Sequence, residues 1–137
     1  MAIASGDKIV LSLKSEVDIL RARKEGQRLA EALGMNTIES VKVATAISEI
    51  ATNALFHAGS AEVTLMLVEH GKRRGISVAI ADRGPGILDV AAALRDGFST
   101  RRSLGIGLGA AKRLMDEFII DTEIGNGTTI TMTKWKA

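Results

Sequence analysis

The sequence predicts an α/β fold of the two-layer sandwich kind, a mixed sheet covered on one face by helices. Three observations carry that expectation. Short β-branched runs alternate with longer segments of helical spacing in the order βααββ(α)αββ. Residues 36–56 hold a continuous apolar stripe with a start signal ahead of it. Gly125-Asn-Gly127 separates two strand-like runs, which is a strong hairpin signal.

The elements follow in order. Lys8 to Lys14 is short, β-branched and partly alternating, and reads as a first strand. Ser15 and Asp18 have capping-box spacing, with Asp in place of the usual Glu or Gln. Ile19, Ala22, Gly26, Leu29, Ala30 and Leu33 then recur at helical spacing, and Gly34 supplies the stop. Asn36 and Glu39 repeat the N-cap pattern ahead of Val43, Ala46, Ile47, Ile50, Ala51, Ala54 and Leu55, so a second helix runs to about Phe56. Strands are expected at about Ala61 to Val68 and Gly75 to Ala81, joined as a hairpin through the polar run Gly71 to Arg74. After Asp82-Arg-Gly-Pro-Gly86 comes a short apolar stretch to Leu94, then an irregular Gly/Ser/Thr/Arg segment from Asp96 to Gly105. A loop of that length in a small domain is usually a lid or a binding loop. Leu108, Ala111, Leu114 and Met115 mark a further helix, and Phe118 to Glu123 and Thr128 to Trp135 the last two strands.

Composition narrows the function classes. A chain of 137 residues, 46% hydrophobic and 25% charged, suits one globular domain spanning 1–137, since this size buries roughly two-thirds of its unfolded surface. The formal charge is only +2, with basic residues scattered at Arg21, Arg23 and Lys24, at Lys72, Arg73 and Arg74, at Arg101 and Arg102, and at Lys112 and Arg113. With few aromatics for stacking, that argues against a nucleic-acid binder. Cysteine is absent and the two histidines, His57 and His70, are isolated, so neither a disulfide framework nor a thiolate metal site is expected. The start MAIASGDK has no basic and apolar leader pattern, and no apolar run approaches the ~20 residues a membrane span requires. A soluble, cytoplasmic protein is expected, with no membrane partner.

Four constellations could carry chemistry. On the second helix Thr45, Glu49 and Asn53 fall at i, i+4 and i+8 and share one face. Glu49 could take a proton from an attacking hydroxyl, and the Asn53 carbonyl is a hard ligand suited to Mg²⁺ beside phosphates. The same residues would also serve as the solvated side of an amphipathic helix. Asp82, Gly84, Gly86 and Ile87 follow directly after a strand: a carboxylate there can receive an exocyclic amine, and glycines admit a ligand close to backbone, although Pro-Gly is also an ordinary turn pair. Gly105-Ile-Gly-Leu-Gly109 leads into a helix whose first N–H groups suit a phosphate, with Arg101, Arg102 and Lys112 around it. It is neither a dinucleotide fingerprint, since no strand leads into it, nor a Walker A loop, since no Gly-Lys-Ser/Thr follows. The last is Gly125-Asn-Gly-Thr-Thr129, a hairpin turn whose hydroxyls could join a base-binding network.

Their order adds what none has alone. Glu49-x-x-x-Asn53, Asp82-x-Gly84-x-Gly86, Gly105-x-Gly-x-Gly109 and Gly125-x-Gly127-Thr128 resemble the N, G1, G2 and G3 boxes of the GHKL ATPase superfamily, over about residues 40 to 133. The resemblance implies the Bergerat fold, with ATP between the helices and a lid. It also implies nucleotide contacts from Asn53, Asp82, Gly84, Gly86, Ile87, Arg101, Gly105, Ile106, Gly107, Leu108, Gly109 and Thr128. Asn53 would hold Mg²⁺, Asp82 would take the adenine amino group, Gly105 to Gly109 would wrap the phosphates, and Thr128 would sit near the base. A stand-alone domain with Glu49 four residues before Asn53 resembles the bacterial anti-sigma-factor serine kinases, in which that Glu would be the catalytic base. Ala44 to Glu49, Asp96 to Thr100, Lys112 to Phe118 and Lys134-Trp135 look like the RsbT-type switch kinases of the stressosome. The resemblance implies STAS-domain scaffold or antagonist proteins as substrates and a PP2C-type phosphatase or another effector downstream. An anti-sigma factor that also binds a sigma subunit is the rival enzyme, and a nucleotide-gated binding module is the rival of another class. His57, at the end of the second helix, reads as a cap or dipole partner. Phe98 and Trp135 read either as partner contacts or, for Trp135, as a side chain packed on the sheet.

Overall fold

The computed structural model describes residues 8–86 and 104–137, with backbone alone for 104–107. The elements are β1 (Lys8–Leu13), α1 (Glu16–Leu33), α2 (Thr37–Ala58), β2 (Ala61–His70), β3 (Arg73–Asp82), α3 (Leu104–Leu114), β4 (Glu117–Glu123) and β5 (Gly127–Trp135). The stretch to Leu94, the segment from Asp96, and Ile87, Phe98, Arg101 and Arg102 lie outside the described residues.

The five strands form one sheet in the order β1-β2-β3-β5-β4. Every pairing between them is antiparallel, which corrects the expected mixed sheet. The α3 crossover does return the chain so that β4 runs parallel to β3. The tight turn after β4 then sends β5 back into the gap, and β5 pairs with both neighbours. No parallel pair of neighbours is left.

Strand alternation sorts the sheet into two faces. Val63 and Leu65 of β2, Ile76, Val78 and Ile80 of β3, and Ile130 and Met132 of β5 are buried in one core with the helices. On the other face lie Thr64, Ser77, Ala79, Thr131 and Thr133, with Val10 and Ile119 more than half exposed on the flanking strands. Among the described residues, helices therefore cover one face only, as a two-layer sandwich requires.

The helices begin where their caps dictate. At α2 the Asn36 side chain accepts from Glu39 N–H at 2.8 Å and the Glu39 carboxylate accepts from Asn36 N–H at 3.0 Å, a complete capping box. Glu39 also accepts from the Ala137 N–H at 2.9 Å, tying the last residue to the start of α2. The N–H groups of Asn36 and Ala137 hold its carboxyl below the usual carboxylate range. At α1 the box is incomplete. Asp18, a carbon shorter than Glu, accepts from Lys14 N–H at 2.8 Å instead, and Ser15 caps nothing with its side chain. Gly26 lets α1 approach α2 so closely that an added Cβ would overlap Ile47 Cδ1.

Two boundaries differ from expectation. The β2–β3 connection is the two-residue turn Gly71-Lys72, because Arg73 and Arg74 are strand residues. Arg73 stacks on the Trp135 ring, 4.3 Å from its centroid, and Arg74 pairs with Glu69 across the hairpin at 3.8 Å. Second, α3 begins at Leu104, so Gly105 to Gly109 forms its first turns rather than a loop ahead of it. Leu108, Ala111 and Met115, at and just past that helix, are buried in the common core, and this packing outweighs the poor helix propensity of glycine.

Candidate functional site

Asn53 lies in the last third of α2, where it is only 7% exposed. Among the described residues its buried Nδ2 has no hydrogen-bond partner. Native interiors rarely leave a buried amide so, and an orphaned group marks a place for a ligand, an ion or water. Glu49, one turn earlier on the same face, is half-buried, and among the described residues nothing hydrogen-bonds to its carboxylate. Thr45 comes another turn back, also half-buried. The helix therefore presents a carboxylate and an amide that the fold itself does not use.

A second set of candidates lies on β3 and the loop after it. Asp82 is the last strand residue, and its Oδ1 accepts from Gly84 N–H at 2.8 Å, which turns the chain and fixes the carboxylate. Gly84 then passes against the end of α2, where a Cβ would stand 2.9 Å from Ala58 Cβ. Gly86 has a left-handed φ of 84°, and Pro85 O accepts from Gly125 N–H at 2.9 Å, hooking this loop to the β4–β5 turn. Gly127, with φ of 98°, closes the clamp: any side chain there would strike the Asp82 carbonyl and stand 2.8 Å from Arg83 Cα. Residues 82–86 are thereby gripped between α2 and the β4–β5 hairpin.

Beside Asp82 in register is Thr128, 7% exposed. Its Oγ1 lies 2.8 Å from Thr122 Oγ1 of β4, and Thr122 donates to the Gly127 carbonyl at 3.3 Å. Asp82, Thr128 and Thr122 thus line one row across three strands, on the face the helices cover. α3 packs on α2 with its glycine-containing turns first, so the N–H groups of those turns that have no partner within the helix stand at its N-terminus.

The structure puts Asp82, Gly84, Gly86 and Thr128 together at one end of the sheet, with Gly84 against Ala58 in the last turn of α2, the helix that carries Asn53 just over one turn earlier. It places Glu49 on the same helix face, and Gly105, Ile106, Gly107, Leu108 and Gly109 in the adjoining helix. Ile87 and Arg101 lie outside the described residues. His57 is exposed in the last turn of α2, edge-on to Phe56 at 5.9 Å. Trp135 packs on the open face of the sheet, its Nε1 donating to Glu117 Oε2 at 2.7 Å. Two residues escaped sequence reading. Thr122 was legible in principle, since Phe118, Ile120 and Thr122 alternate inward; Ala58 matters only for being small, which leaves no signal.

The Histidine kinase-like ATPase domain family model matches residues 13–134. The chain belongs to that family. Among curated relatives, this histidine kinase-like ATPase chain is 39% identical over 129 residues to the serine/threonine-protein kinase RsbT of Bacillus subtilis, covering 94% of this chain and 97% of that one. It is 32% identical over 104 residues to an anti-sigma F factor of Caldanaerobacter subterraneus subsp. tengcongensis, covering 72% and 73%. Two solved structures share the fold. A Mycobacterium tuberculosis protein with RsbU and RsbW domains superposes with TM-score 0.66 at 20% identity, over 96% of this chain and 33% of that one. The mycobacterial sensor histidine kinase MprB gives 0.57 at 15%, over 95% and 97%. Among the described residues no helix is long and apolar enough to cross a membrane.

Proposed function

We propose that this chain, a protein serine/threonine kinase of the histidine kinase-like ATPase family, transfers the γ-phosphoryl of ATP to a Ser or Thr of a STAS-domain protein in the bacterial cytoplasm. The observation that carries the reading is the buried Asn53 side chain, whose Nδ2 has no hydrogen-bond partner among the described residues. Support also comes from the RsbT relative, aligned over nearly the whole of both chains. In this reading Asp82 and Thr128 receive the adenine, Gly84 and Gly86 admit its ring, and Gly105 to Gly109 with Ile106 and Leu108 approach the phosphates. Arg101 offsets phosphate charge, and Ile87 borders the base.

Asn53 would hold a magnesium ion through its carbonyl Oδ1, since Mg²⁺ takes one or two protein oxygen ligands with phosphates and waters, and its unpartnered Nδ2, a donor, would suit a phosphate oxygen or a water beside the ion. When bound, the ion neutralises charge on the phosphates. Glu49 accepts the proton of the acceptor hydroxyl. The freed oxygen then bonds to the γ-phosphorus as the bond to the β–γ bridging oxygen breaks, and ADP leaves with that electron pair. The protein contributes position and electrostatics more than covalent chemistry.

The test is radiolabel transfer from ATP to a purified STAS partner. Glu49→Ala is expected to keep nucleotide binding and lose at least about a hundredfold in transfer; unimpaired turnover would remove Glu49 as the base. The anti-sigma F relatives favour one second reading, a factor that also sequesters a sigma subunit, and co-purification with a sigma factor would support it. A PP2C-type phosphatase or a similar effector is the proposed downstream partner, scored by pull-down before and after phosphorylation of the substrate.

A further inference from the structure

A hydroxyl has one proton, so a chain of hydroxyls has a direction. Thr122 gives its proton to the Gly127 carbonyl at 3.3 Å. The 2.8 Å contact between the two threonine hydroxyls suits either direction by distance; with the Thr122 proton on that carbonyl, Thr128 donates and Thr122 accepts. In that arrangement the proton of Thr128 is spent inside the sheet, and only its lone pairs are left for anything beside Asp82. Asp82 is in the same position: Oδ1 already accepts from Gly84 N–H at 2.8 Å, and the carboxylate has no proton to offer.

We propose that Thr122 is a positioning residue for nucleobase selection, holding Thr128 as an acceptor so that this wall takes a base with an exocyclic amine and rejects one with an oxo group there. This rests on the ATP reading of the site. Two acceptors side by side meet the 6-amino group of adenine well. They meet the 6-oxo group of hypoxanthine with lone pair against lone pair, leaving a polar group unpaired in a closed site. Thr122 touches no base in this scheme; it acts through the proton of Thr128.

Thr122→Val keeps the β-branched shape and removes the acceptor. The Thr128 proton is then free to turn toward the site, where it suits an oxo group. Calorimetric titration of the full chain with Mg·ATP and Mg·ITP reads the effect. Thr122→Val is expected to weaken ATP and tighten ITP, shrinking the ATP-to-ITP affinity ratio by about tenfold or more. Thr122→Ser, which keeps the hydroxyl, restores the wild-type ratio. A purely structural role would weaken both nucleotides alike, so an unchanged ratio in Thr122→Val overturns the inference while leaving the ATP site intact. If wild type binds neither nucleotide, both the site reading and this inference fall. Should Thr122→Val melt too low to titrate, Thr122→Ala takes its place under the same expectations.

Discussion

The two ends of α2 are built on opposite terms. At its start the capping groups are paired with other groups of the chain: Asn36 and Glu39 exchange hydrogen bonds, and Ala137 adds a third from the far end of the sequence, while the buried Ser40 hydroxyl just beyond them has no partner among the described residues. Toward its finish the helix carries Asn53, buried with an unpartnered Nδ2, and Glu49, half-buried with no bond to its carboxylate among the described residues. One end spends its capping groups on the fold, and the other leaves an amide nitrogen and a carboxylate unspent. A polar group left unpaired inside a protein costs about 1–3 kcal/mol, and the capping box with the Ala137 bond at the start of α2 helps offset such a cost.

Substitutions that cross this divide sharpen it. The largest effect is expected from Gly127→Ala. A left-handed residue loses about 1–2 kcal/mol on gaining a Cβ, and that Cβ would also drive into the Asp82 carbonyl, so both thermal stability and ATP affinity should drop together. Asn53→Ala should separate the two properties. Mg-dependent ATP binding and transfer are expected to fall at least about a hundredfold, while the melting temperature stays at or above wild type, because an unpaired buried amide is gone. A sharp loss of stability there would show that Asn53 serves the fold and erase the contrast. Asn36→Ala should do the reverse, costing about 1 kcal/mol in denaturant unfolding with turnover of the folded enzyme unchanged.

The smallest effect is in pH. The Glu39 carboxyl is held below its ordinary value by the N–H groups of Asn36 and Ala137, with Lys134 and Lys136 adding to them against the opposing effect of burial. Its ionised form is favoured by the folded state, so its contribution is complete above the ordinary carboxylate range and is lost as pH falls through the folded value. Unfolding curves of wild type and Glu39→Gln should converge in acid and separate toward neutrality. Parallel curves at all pH values would show that the charge plays no part.

The same two ends differed in how far the sequence revealed them. The start of α2 was legible because a capping box is local: Asn36 and Glu39, three positions apart, state it in full. The apolar stripe and the Gly125-Asn-Gly127 turn were legible for the same reason, and so were Asn53 and Asp82 as candidates once the glycine boxes lined up behind them. What escaped depends on residues distant in the chain. Arg73 and Arg74 looked like turn residues because their partners, Trp135 and Glu69, belong to strand pairings that no window displays. The glycines of α3 looked like loop because the α2 surface that makes them helical lies some fifty residues earlier. Thr122 matters only through Thr128 and Gly127, and a lone inward threonine declares no partner.

The contact between Gly84 and Ala58 has a consequence for inheritance. With an added Cβ only 2.9 Å from that of Ala58, neither position can grow unless the other yields space, and position 84 has nothing left to give up. Descendants of this chain should therefore keep a small residue at 58 for as long as the loop after β3 keeps its course. A larger residue at 58 should appear only together with a rerouted loop and a displaced Asp82.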